Sequence, residues 1–103
     1  MKIVINTAHG GFGLSETAQR RYLELIGKNP DKWHEYTWSN IDRTDKVLVQ
    51  VVEELGDEAN DLLSHLEVEE IEAGTHYRIL NYDGVETLEC RYLIDDWNLA
   101  WED

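Results

Sequence analysis

The start of the chain has the hydrophobic pattern of a buried strand, a glycine loop and a helix. Residues 3–5 are Ile, Val and Ile, and β-branched residues suit the pleated backbone of a buried strand. Three glycines between positions 10 and 13 then allow a sharp turn. Ser15 is a good helix N-cap, because its hydroxyl can accept a hydrogen bond from an amide of the first turn. The apolar face of the predicted helix consists of Ala18, Tyr22, Leu25 and Ile26, and Gly27 is expected to end it.

The stretch KVLVQVVEELG carries the strongest helical pattern in the chain. Its apolar stripe consists of Val47, Leu48, Val51, Val52 and Leu55. Either Thr44 or Asp45 can cap the start of this helix, and Gly56 is expected to end it. Residues 57–65 are predicted to add one or two helical turns, with inward positions at Ala59, Leu62, Leu63 and Leu66.

After Leu66 the hydrophobic period changes to about two, which is typical of strands. Strands are predicted near residues 66–72, 76–82 and 85–92. Asp83-Gly84 separates the last two, and this dipeptide is a strong signal for a hairpin with a type I′ turn. We therefore predict a single small globular domain of the α/β or α+β class over residues 1–103. Its mixed sheet has about four strands, including residues 3–5, and two main helices lie on one face.

Four aromatic residues lie close together at Trp33, His34, Tyr36 and Trp38, and their alternation is strand-like. Such rings either cover the edge of a small core or form a contact surface, because Trp and Tyr are enriched at interface centres. Residues 93–103 are predicted to form a docked C-terminal tail or a short amphipathic helix, since Leu93, Trp97 and Trp101 are four residues apart. These two tryptophans pack on the domain itself or on a second copy in a homodimer. The candidate partner contacts are therefore Trp33, Tyr36, Trp38, Trp97 and Trp101.

The charge of the chain limits its partners. Nine basic residues stand against 22 acidic ones, which leaves a formal net charge of −13 over 103 residues. Direct nucleic-acid binding is not expected, because it requires clustered Lys and Arg that neutralise phosphates. The acidity either maintains solubility alone or attracts a protein with a basic surface.

Cysteine content and hydropathy indicate a soluble protein of a reducing compartment. Cys90 is the only cysteine, so no intramolecular disulfide can form. Its place in an apparent strand predicts a packed thiol rather than a nucleophile. We find neither a signal-peptide core nor an apolar run long enough for a membrane span, and we expect a cytoplasmic protein without membrane contact.

The glycine loop is the one candidate ligand site. Amides of a glycine loop and of a helix N-terminus can together hold a phosphate or carboxylate, and a histidine, a serine and an arginine could add donors. HGGFGLS matches neither the dinucleotide fingerprint nor the Walker A sequence. The alternative is a tight loop that brings the helix close to the first strand. The candidate ligand-binding residues are His9, Gly10, Gly11, Gly13, Ser15 and Arg43.

Arg43 has two interpretations. It pairs with Asp42 or Asp45 and orients the start of the second helix, or it binds an anion near the glycine loop through its two-pronged guanidinium. The four histidines show no spacing typical of a metal site, and no catalytic pair can be chosen among the carboxylates. We expect no metal, no cofactor and no catalytic residue.

Three segments, MKIVINTAHGGFGLSETA, RTDKVLVQVVEELGDEAN and YRILNYDGVE, resemble a family of small uncharacterised proteins encoded by bacteriophages and prophages. The resemblance covers a little under half of the chain and implies an accessory protein expressed in the cytoplasm of a bacterial host. It carries no catalytic residue that could be transferred to this sequence. The aromatic stretch and the C-terminal tryptophans lie outside it.

Two function classes remain. The first is a non-enzymatic phage-type accessory protein that binds and modulates a host protein, as an anti-defence or host-takeover factor, through an acidic and aromatic surface. The alternative is a binder of, or an enzyme acting on, a small phosphorylated metabolite or nucleotide at the glycine loop. Enzymatic activity is the less expected of the two.

Overall fold

The computed structural model describes residues 1–91 and 98–99. Two short 3₁₀ helices accompany the regular elements. The elements in chain order are β1 (Lys2–Asn6), α1 (Glu16–Leu25), a 3₁₀ helix (Pro30–Glu35), α2 (Lys46–Leu55), a second 3₁₀ helix (Gly56–Ala59), β2 (Leu66–Glu70), β3 (His76–Tyr82), β4 (Val85–Arg91) and β5 (Asn98–Leu99). The predicted class, a small mixed domain with two main helices and four main strands, is confirmed.

The strands form two antiparallel sheets instead of the single mixed sheet expected from the sequence. β1 pairs with β2, and in the second sheet β3 lies between β4 and β5. β4 lies against β1 without pairing with it, because other groups occupy the free edge of β1. The Val4 amide donates to the Arg43 carbonyl at 2.9 Å, and the Asn6 amide donates to the Glu86 carboxylate at 2.8 Å.

The core lies between the helices and the β1–β2 sheet, and β1 is buried on both faces. Val4 packs among residues of both helices, while Ile3 and Ile5 point to the opposite face and are equally buried. This double burial explains why the strand is a continuous apolar run. The buried cluster around Val4 comprises Leu14, Ala18, Leu48, Val49, Val51, Val52, Ala59 and Leu66.

The predicted helix boundaries are confirmed by their caps. Ser15 Oγ accepts a hydrogen bond from the Ala18 amide at 3.1 Å at the start of α1. Asp45, not Thr44, caps α2. Its Oδ1 accepts from the amides of Val47 and Leu48 at 2.7 and 3.3 Å. As predicted, α1 ends close to Gly27 and α2 ends at Gly56.

The hairpin prediction is also confirmed. Tyr82 pairs with Val85, so Asp83 and Gly84 form a two-residue turn, and both have the positive φ that a type I′ turn requires. Residues 92–97 and 100–103 lie outside the described residues, and they include Trp97 and Trp101. The described part of the predicted tail, β5, pairs with the start of β3.

The 3₁₀ turn Gly56–Ala59 and the burial of Ala59 and Leu66 confirm part of the prediction for residues 57–65. The rest of that prediction, and the strand predicted for the aromatic stretch, are wrong. The chain leaves helical geometry after Ala59, because Asp61 Oδ1 accepts from the amides of Leu63 and Ser64, both at 2.8 Å, and closes a tight turn. Leu62 and Leu63 therefore face solvent. The aromatic stretch begins as a 3₁₀ helix and not as a strand, since Asn29 Oδ1 accepts from the Asp31 amide at 3.0 Å and starts the turn at Pro30.

Candidate functional site at the glycine loop

The glycine loop between β1 and α1 is covered by the turn at residues 61–64 and by the turn of the β3–β4 hairpin. A Cβ atom on Gly10 would overlap the backbone of Leu63, and one on Gly13 would overlap the carboxylate of Asp61. Ser64 fastens this contact, because its Oγ donates to the Gly13 carbonyl at 2.8 Å. The glycines therefore permit the close approach of the 61–64 turn.

Asn6, at the end of β1, joins three segments through its buried side chain. Its Nδ2 donates to the carbonyls of Ala8 and Gly84 at 2.7 and 2.8 Å. Its Oδ1 accepts from the amides of His65 and Ala8 at 2.9 and 3.2 Å. All four hydrogen-bonding positions of the amide are satisfied, so this side chain fixes the loop and the hairpin turn together.

Arg43 pairs with Glu86 on β4, and the predicted partners Asp42 and Asp45 are wrong. Arg43 Nη1 lies 2.5 Å from Glu86 Oε1, and the two side chains are only 17% and 6% exposed. The guanidinium also lies 3.6 Å from the centroid of the Phe12 ring. Asp42 accepts from Thr44 instead, and Asp45 caps α2.

Glu86 is the residue at this site that sequence reasoning missed. It accepts hydrogen bonds from both Arg43 and the Asn6 amide through Oε1. Nothing in its local sequence distinguishes it from the other carboxylates, since the same strand carries a second glutamate, Glu89, and further polar residues. Its role follows from a contact across 43 residues of chain.

The other candidate residues of the loop contact neighbouring groups of the same chain. Besides capping α1, Ser15 Oγ donates to the Glu58 carbonyl at 2.6 Å. His9 Nδ1 lies 3.6 Å from the Asp83 carboxylate, and both side chains are exposed. Gly11 has a φ of 88°, and its amide donates weakly to Ala8. The geometry favours the packing interpretation, because carboxylates border the loop; anion binding stays a prediction.

The remaining ionisable groups of the described residues form no evident catalytic site. Cys90 is exposed on β4, so the predicted packed thiol is wrong. Partial desolvation and the nearby charge of Glu69 raise the pKa of the Cys90 thiol, which disfavours the nucleophilic thiolate. Within the described residues, no group of three or more His, Cys, Asp or Glu side chains could hold a metal ion.

The aromatic stretch forms a cluster with α1. Trp38 lies edge-on to Tyr22 with ring centroids 5.3 Å apart, and Tyr36 lies 6.0 Å from Trp38. Trp38 Nε1 donates to the Trp33 carbonyl at 3.2 Å, which fixes the indole. Trp33 and Trp38 are half-buried, and Tyr36 is 42% exposed. These three predicted contact residues thus combine core covering with exposed ring surface.

The hydroxyl of Tyr22 gives the fold a sensitivity to high pH. Burial, with the hydrogen bond to Asp45 at 2.7 Å, raises the pKa of Tyr22 from 10.0 to about 12. The pKa of Tyr22 is higher in the folded than in the unfolded protein. The contribution of its protonated hydroxyl to the free energy of unfolding is therefore complete below pH 10 and is lost as pH rises through about 12. Urea unfolding across this range should show a steeper decline for wild type than for Tyr22→Phe. Equal slopes would contradict this prediction, and Tyr82→Phe, at an exposed position, is the matched control.

Comparison of the chain with protein-family models, with curated proteins and with solved structures finds no match. None of the helices in the described part of the chain combines the length and the apolar character needed to cross a bilayer. By its fold, the protein is a small mixed α/β domain with two antiparallel sheets.

Proposed function

We propose that this protein is a non-enzymatic accessory protein of the phage type that binds and modulates a bacterial host protein with a basic surface. The observation that carries the proposal is a pair of solvent-exposed leucines on a fixed, acidic turn. Leu62 is fully exposed and Leu63 is 66% exposed. Large apolar side chains held in water are typical of protein contacts when they form a patch rather than scattered positions.

The backbone of this turn is held in place before any partner binds. The Asp61 carboxylate accepts from two amides of the turn, and Ser64 Oγ accepts from the Asp61 amide at 3.0 Å. Gly10 packs against Leu63 from below. A preorganised contact loses little conformational entropy on binding, which favours affinity.

The surroundings of the leucines select a basic partner. Exposed carboxylates on both sides of the turn belong to Asp57, Glu58, Asp61 and Glu67. A groove of about 440 Å³ continues from Leu62 to Trp33 and Glu16, so one of the predicted aromatic contacts borders the same surface. These carboxylates would speed association with a basic protein and would repel proteins with an acidic surface.

The test uses a double variant, Leu62→Ser with Leu63→Ser, in affinity capture from bacterial lysate followed by titration with the purified captured protein. We expect at least a tenfold loss of affinity, or about 1.4 kcal/mol, with an unchanged melting temperature because both side chains are exposed. Affinity should also fall as salt rises. Tyr82→Ser, at an apolar residue 83% exposed on the hairpin, is the matched control. Equal binding by the double variant and wild type would overturn the proposal.

The bacterial host in this proposal is supported by the resemblance of three segments to small phage and prophage proteins. The cytoplasm of the host cell is the corresponding location. Neither point depends on the leucine turn, so the capture experiment tests the binding surface separately from the source of the partner.

A further inference from the structure

A second surface feature lies at the C-terminal end of α1, whereas the groove that Leu62 borders lies at the N-terminal end of this helix. It is an open cleft of about 290 Å³. We call it the aromatic cleft, and its lining is Tyr22, Ile26, Tyr36, Thr37, Trp38, Asn40 and Ile41. This volume is close to the lower bound of the range of about 300 to 1,000 Å³ that is typical of ligand pockets, and it leaves room for one side chain.

We propose that the aromatic cleft receives a lysine or arginine side chain of the partner protein. The inference rests on the proposed function, because it assigns the guest to a protein partner. Three rings, those of Tyr22, Tyr36 and Trp38, border the cleft, and the faces of aromatic rings attract cations. Two isoleucines, one of them 39% exposed, provide apolar surface for the aliphatic stem of such a side chain.

The rings are oriented without a guest. The indole of Trp38 is held by its hydrogen bond to the Trp33 carbonyl, and the phenol of Tyr22 by its bond to Asp45. Tyr36 completes the cleft as its exposed wall. A cation that enters therefore meets a preformed arrangement of rings and does not have to order them.

The charge around the cleft favours a cation over a neutral or anionic guest. The carboxylates of Asp45 and Asp42 are close enough to Tyr22 to raise its pKa by their charge. The negative potential of these groups adds to that of a chain with a net charge of −13. The chain already uses one guanidinium–ring contact of this kind, between Arg43 and Phe12 at 3.6 Å.

The test is an NMR titration of the full chain with a capped Gly-Arg-Gly peptide, observed at the indole N–H of Trp38, which is assigned by its loss in Trp38→Phe. The peptides with citrulline or glutamate in place of arginine are the neutral and anionic probes. We expect the arginine peptide to shift the Trp38 signal with an affinity at least threefold above that of either probe, and lysine to behave like arginine. Equal or tighter binding of the citrulline or glutamate peptide would overturn the inference.

Tyr36→Leu removes one ring while keeping apolar surface, and it should weaken the arginine peptide two- to fivefold, the effect of about 0.5 to 1 kcal/mol for an exposed cation–ring contact. Tyr82→Leu, on the hairpin, should change nothing. Unaltered affinity in Tyr36→Leu would also defeat the inference. The double variant Leu62→Ser with Leu63→Ser distinguishes this inference from the proposed function. It should no longer bind the captured protein but should still bind the arginine peptide.

Discussion

Replacing Gly84 by alanine should lower the free energy of unfolding by about 3 kcal/mol, because two separate costs coincide there. Gly84 has a φ of 88°, a conformation that costs an alanine about 1 kcal/mol. The added Cβ would also overlap the His9 carbonyl and lie 2.8 Å from the Gly11 amide nitrogen. Both contacts are to backbone, so relief requires the hairpin turn to move away from the glycine loop. Urea unfolding followed by circular dichroism measures the loss.

Gly74→Ala is the matched control, since Gly74 has nearly the same φ, 87°, and no atom within 4 Å of an added Cβ. It should cost only about 1 kcal/mol. The difference between the two variants isolates the contact of the hairpin turn with the glycine loop. Equal losses in Gly84→Ala and Gly74→Ala would show that this contact does not stabilise the fold.

Replacing Glu86 by alanine should cost about 3 kcal/mol, the largest effect that we expect from a charged residue. The change leaves the Arg43 guanidinium mostly buried beside Phe12 without its counter-charge. It also removes the acceptor of the Asn6 amide, and a buried unpaired donor carries its own desolvation cost. Chemical unfolding of the variant and of wild type measures the difference.

Glu53→Ala is the control for loss of an ion pair as such, because the Lys2–Glu53 pair has both side chains more than 40% exposed. We expect less than about 1 kcal/mol from it. Glu86→Gln keeps an oxygen for the Asn6 amide and should fall between the two. If Glu86→Ala were as mild as Glu53→Ala, the Arg43–Glu86 pair would have no structural weight and Arg43 would again be a candidate for ligand binding.

Local interactions made much of this fold predictable. Ser15 and Asp45 cap helices through amides two or three residues away, and the Asp83-Gly84 turn depends on the backbone freedom of its own two residues. The apolar stripe of α2 likewise lies within ten residues. Each of these features requires no knowledge of distant parts of the chain.

The candidate site was only half predictable for the opposite reason. The glycine loop is evident from the spacing of its glycines, but the segments that cover it come from residues 61–64 and from the hairpin turn. The choice between Asp42, Asp45 and Glu86 as partner of Arg43 depends on which carboxylate the fold brings near, and local sequence favoured the wrong ones. The helical spacing of Leu62 and Leu63 predicts that they are buried, and the Asp61 turn instead exposes both side chains to solvent.

The sequence by itself determined the two main helices, the four main strands, the hairpin and the acidic charge, since these follow from residues close together in the chain or from composition. The tertiary structure alone decided the separation into two sheets, because the Arg43 carbonyl and the Glu86 carboxylate take the β1 amides that a neighbouring strand would otherwise use. It also decided which apolar residues remain in water. Burial depends on long-range contacts. A periodic pattern only indicates which residues would share one face if the segment were helical.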